Sequence, residues 1–69
     1  MVEFEQTLER MAIIAELEEA RDHFARAAEL LQGQGMVKRA DTARDLAQGA
    51  AGMRSLLSLD WHDADQAAA

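Results

Sequence analysis

Residues 13–31 read IIAELEEARDHFARAAELL, and this stretch decides the fold. Ile13, Leu17, Ala20, Phe24, Ala27 and Leu31 recur every three or four residues, which lines one face of an α-helix. Glu16, Glu18, Glu19, Arg21, Asp22, Arg26 and Glu29 fill the other side. No glycine or proline interrupts the run, and alanine, leucine, glutamate and arginine all favour helix.

Toward the N-terminus the pattern changes without a break. Glu3 and Glu5 suit the positive end of the helix dipole. Phe4, Leu8, Met11, Ala12 and Ala15 form a second apolar stripe, roughly opposite the Leu17–Phe24–Leu31 stripe, with Ile13 and Ile14 at the switch. A continuous helix with two apolar faces touches two things: its own neighbour in the chain, and a partner. The alternative is a bend near Ala15–Glu16 that folds the first turns back.

Toward the C-terminus, Gln32-Gly33-Gln34-Gly35 ends the helix, with Gly33 suited to the left-handed C′ position. So short a link predicts an αα-hairpin. In the second helix Met36, Ala40, Ala43, Leu46, Ala47, Ala50, Met53 and Leu57 share one face, with Lys38, Asp41, Asp45 and Gln48 opposite. Its alanines permit close approach, and Leu17, Phe24 and Leu31 supply the bulk. Gly49 and Gly52 cost about 0.8–1.0 kcal/mol each relative to Ala; they mark close approach of a partner helix or, since they project off the apolar face, a local weakness. Leu56, Leu57, Leu59 and Trp61 close the helix with a bulky cluster. The expected organisation is one hairpin over 1–62 (helix 3–32, turn 33–35, helix 36–60) and a short tail over 63–69, frayed or extending the helix by a turn or two.

Composition agrees with an all-α chain. The 69 residues contain no proline or cysteine and few β-branched or aromatic residues, which excludes disulfides and thiolate zinc sites. A core of this size rarely supplies more than ~3–5 kcal/mol, so oligomerisation is the expected supplement. The formal net charge of −6 disfavours a general binder of nucleic acid or anionic membrane. Charge is uneven: residues 1–32 sum to −5, residues 33–59 to +2, and the tail to −3. No run is long and apolar enough to span a membrane, and the Val-Glu-Phe-Glu start is unlike a signal peptide, so a cytoplasmic location is expected.

Few side chains are arranged for chemistry. Glu16, Glu19 and His23 share one side of the first helix, but the Glu-x-x-x-His spacing departs from the Glu-x-x-His pair of helical di-iron sites. A solvated charged face is expected there, with no metal and no cofactor. His62 lies between Trp61 and Asp63, yet the chain offers no nucleophile elbow and little chain to build a pocket, so no enzymatic activity is expected. Arg39, Arg44 and Arg54 are expected to pair with the acidic first helix, Arg54 with its stem along the seam. The alternatives are a Rop-like dimer that binds RNA or DNA along these arginines, and an acidic surface that mimics DNA phosphates. Trp61, with Leu57 and Met53, caps the bundle or anchors a partner.

Phe24, Ala28, Gly35, Ala40 and Ala47 together resemble a single tetratricopeptide-type helical hairpin. Arg44 stands where that pattern carries a large apolar residue, the closing proline is missing, and nothing about function carries over. The expectation is therefore an αα-hairpin that dimerises into a four-helix bundle, as a small regulatory or adaptor module. Interface candidates are Phe4, Leu8, Met11, Ile14, Leu17, Phe24, Leu57 and Trp61. The Phe4–Leu8–Met11 stripe is then the seam of a homo-oligomer or the docking face for a larger protein.

Overall fold

The structure, a computed structural model, describes the backbone of residues 2–68 and the side chains of residues 4–68. Met1, Ala69 and the Glu3 side chain, included in the expectations above, lie outside the described residues. Two helices of 32 residues, α1 (Val2–Gly33) and α2 (Val37–Ala68), account for nearly all of the chain. They lie antiparallel as an αα-hairpin, and no strand occurs among the described residues. α1 passes through Ala15–Glu16 as one unbroken helix.

The turn differs in detail from the expectation. Gly33 still belongs to α1, and Gly35 is the left-handed residue, at φ 75°. The Met36 amide donates to the Leu31 carbonyl at 3.0 Å and the Gly35 amide to that of Gln32 at 3.0 Å, which is a Schellman closure with Gly35 at C′. The reversal needs positive φ at one residue only, and the later glycine supplies it after one more residue of helix. α2 is also longer than expected. Residues 63–68 are helical, the second of the two alternatives for the tail, because nothing after Gly52 breaks a helix and Asp65 is tied to α1 by Arg10.

The seam between the helices is narrow. Among the described residues the buried apolar ones are Ala28 on α1 and Ala40, Ala43 and Ala47 on α2. Half-buried beside them are Arg10, Ile14, Leu17, Glu18, Ala20, Arg21, Ala27 and Leu31 on α1, and Ala50, Ala51, Leu57 and Trp61 on α2. Leu46, Met53 and Met36, expected on the buried face of the second helix, stand exposed. The reason is that alanines at 40, 43 and 47 draw the backbones close, so the contact is only a few side chains wide. On α1 the seam falls between the two apolar stripes, and neither stripe is centred on it.

The result is a plate one helix thick. Its principal extents are 52 × 18 × 8 Å and its radius of gyration is 16.0 Å, against about 11 Å for a compact domain of this length. Both broad faces are open.

The alanine seam makes a direct prediction. Ala40 is 0% exposed, so Ala40→Leu must force the helices apart. Overpacking of this kind costs about 1–3 kcal/mol. Urea unfolding followed by circular dichroism is expected to show that loss; unchanged stability would contradict the close seam.

Candidate interaction surface

The two broad faces have opposite chemistry, and the helical repeat explains why. Residues seven apart lie on one flank of a helix in a two-helix seam. Arg44, Ala51, Ser58 and Asp65 form one flank of α2, and Met11, Glu18, Ala25 and Gln32 form one flank of α1. Cross-helix contacts show that these two flanks share a face. Arg10 donates two hydrogen bonds to the Asp65 carboxylate, at 2.8 and 3.0 Å. Arg44 donates to Gln32 Oε1 at 3.0 Å and to Asp41 at 3.0 Å. Arg54 lies 3.3 Å from a Glu18 carboxylate oxygen, its stem along the seam.

The other face is what remains. α1 contributes Ile13, Ala20 and Ala27, with Phe24 at the seam edge; α2 contributes Leu46, Gly49, Met53 and Leu56. Ile13, Phe24, Leu46, Met53 and Leu56 are all exposed. No ion pair or side-chain hydrogen bond between the helices has been found on this face among the described residues. One face is stitched by cross-helix contacts; the other is apolar in its middle and carries Arg39 toward the turn and Asp60 and Asp63 toward the open end.

The residues expected at an interface divide into two sets. Ile14, Leu17, Leu57 and Trp61 are half-buried in the hairpin's own seam. Phe4, Leu8 and Met11 are exposed, Phe4 at 68%, near the open end of α1. Phe24 stands at the border of the apolar face. Met11 and Ile14 line a shallow groove with Arg10, Ala15 and Glu18, and Arg54, Ser55, Ser58 and Leu59 line another. Neither groove encloses a volume in which chemistry could be shielded from water. His23 and His62 are both exposed, and no group of three or more metal-ligating side chains gathers among the described residues. Among the described residues no helix is long and apolar enough to cross a membrane.

Arg10 was not anticipated as a seam residue. Its guanidinium sits 5.3 Å from the centroid of the Trp61 ring while it holds Asp65. Planar arginine suits this double duty, stacking on an aromatic face while forking onto a carboxylate. The signal was present as a seven-residue recurrence, Arg10–Leu17–Phe24–Leu31 facing Ala40–Ala47–Arg54–Trp61, which a search for apolar residues alone passes over.

The hydrogen bonds from Arg10 hold the Asp65 carboxyl below its ordinary value of 3.8, with the charges of Arg10 and His62 adding to the effect. The same bond holds Arg10 above its ordinary value. A carboxyl depressed in the folded state stabilises it fully above the unfolded value, and the contribution is lost as pH falls through the depressed value. Acid titration of helicity below pH 3.8 is therefore expected to fray the end of α2. Asp65→Asn should show that fraying already at neutral pH and a flatter acid limb; an acid limb identical to the parent's would remove Asp65 from the account.

Compared with protein-family models, curated proteins and solved structures, the chain matches none of them.

Proposed function

We infer that this chain is a protein–protein interaction module, half of a helical bundle that completes its core by association with another chain. A second copy is the simplest completing partner, giving a four-helix dimer with closed two-fold symmetry. In this reading the protein acts as a small regulatory or adaptor unit, through helix contacts and not through catalysis.

The observation that carries the reading is the mismatch between core and surface. The buried residues are all alanines, and no large side chain is fully buried among the described residues. Twelve large apolar side chains there are exposed. Each Leu, Phe, Ile or Met contributes about 1.5–3 kcal/mol when fully buried. A single plate realises little of that, and a second layer realises much of it. Patches of this kind mark interaction sites on small proteins. Nucleic-acid binding is less well supported, because Arg44 and Arg54 already face Asp41, Gln32 and Glu18.

Light scattering across a dilution series measures the outcome. The expected mass is twice that of the 7.6 kDa chain, falling toward one chain only at high dilution and with loss of helicity. A fully helical single chain at every concentration would defeat the reading.

A further inference from the structure

We propose that the strip formed by Ile13 and Ala20 of α1 with Leu46, Met53 and Leu56 of α2 is a docking groove for a basic amphipathic helix of another protein. This goes beyond the self-association reading above. A second copy seated on the opposite face, where Phe4, Leu8 and Met11 stand exposed, leaves the strip free.

The walls of the groove repeat with the helix. Ile13, Ala20 and Ala27 on α1, and Leu46, Met53 and Asp60 on α2, each recur every seven residues. Walls of that period match the i, i+3, i+4 and i+7 anchors of a third helix. An extended segment, whose side chains alternate every second residue, would not stay in register with them. Small residues open the middle of the groove. Ala20 and Ala27 are half-buried, and a Cβ built at Gly49 meets nothing within 4 Å, so large side chains of a partner have room to approach. From Glu9 to Ala27 the groove runs about 27 Å, the length of a helix of about 18 residues.

Charge decides the chemistry of that helix. Glu9 and Glu16 border the strip along α1, and Asp60 and Asp63 border it along α2, toward the open end. All four are exposed, and none forms an ion pair among the described residues. The open half of the hairpin, residues 2–17 with 52–68, offers them no free base. Its lysines and arginines are Arg10 and Arg54 alone, and these hold Asp65 and Glu18. Arg39 borders the strip at the turn end, roughly 25 Å along the hairpin from Glu16 and well beyond the Debye length of about 8 Å.

The occupant must therefore bring the positive charge itself. A second copy would bring the same four acids and one arginine in either alignment, like charge against like. A helix with lysine or arginine beside its apolar stripe covers Ile13, Met53 and Leu56 and faces the border acids with the opposite sign. Border charges of this kind select the partner and steer its approach.

The test uses a fluorescein-labelled synthetic peptide of about 18 residues, with leucine at the anchor positions and lysine beside them, and follows its binding by fluorescence anisotropy. Two variants remove equal charge from different places. Glu9→Gln/Glu16→Gln/Asp60→Asn/Asp63→Asn clears the border of the strip, and Glu5→Gln/Glu19→Gln/Glu29→Gln/Asp45→Asn clears acids that lie off it. The first is expected to weaken binding about tenfold and the second to leave it within about twofold, since border pairs are individually weak and add. Met53 is exposed in the single chain, so Met53→Glu should keep the helicity seen by circular dichroism and lose the peptide. Equal losses from the two charge sets would mean attraction to net charge alone and would overturn the groove. Failure of the wild type to bind, or equal binding by Met53→Glu, would overturn it as well. Light scattering on the same samples keeps the two readings apart. A dimer that Met53→Glu splits puts a second copy on the strip and overturns the basic-helix proposal. A monomeric wild type that binds the peptide as described supports the proposal and removes self-association alone.

Discussion

Everything in this structure depends on how closely α1 and α2 approach along Ala28, Ala40, Ala43 and Ala47. Alanine methyls let two backbones come near enough for a Schellman turn of Gln34 and Gly35 to join the helices without strain. The same closeness narrows the contact, so side chains one position to either side never enter it. Leu46 and Met53 flank the seam without entering it. Small residues therefore do two things at once: they specify the hairpin, and they leave most of its large apolar side chains unburied.

That constraint accounts for the division of labour between the faces. Where ends or flanks would splay, charged residues hold them: Arg10 bridges Trp61 and Asp65 near the open end, and Arg44 reaches Gln32 near the turn. Exposed ion pairs contribute little to stability singly, so their value lies in fixing register. The remaining face has no such stitching among the described residues and is apolar in its middle.

The all-helical fold was legible because it rests on long uninterrupted periodicity, a strong local signal. The position of the turn was nearly legible; two glycines competed for the left-handed role, and hydrogen-bond geometry chose Gly35 over Gly33. The end of α2 was open between a frayed tail and a longer helix, because the contact that ties Asp65 to Arg10 spans 55 residues and leaves no local signal. The finer orientation of each helix was least legible. Apolar residues on α1 lie in two stripes, and sequence periodicity favours whichever stripe is richer. The observed seam runs between them, through Arg10, Ile14, Leu17, Arg21 and Ala28, because α2 offers alanines that demand proximity and not bulk. The interface candidates were drawn from the richer stripes, so they scatter across the seam and the surface.

The central claim is that this hairpin is half of a larger folding unit, so that folding and association are one event. Its most direct test is the thermal midpoint of helix loss, measured by circular dichroism over a roughly hundredfold range of protein concentration. Association that stabilises the fold makes the midpoint rise steadily with concentration, by mass action. A midpoint that stays constant across the range would mean that the alanine seam suffices alone, and the exposed apolar face would then lack the structural role assigned to it.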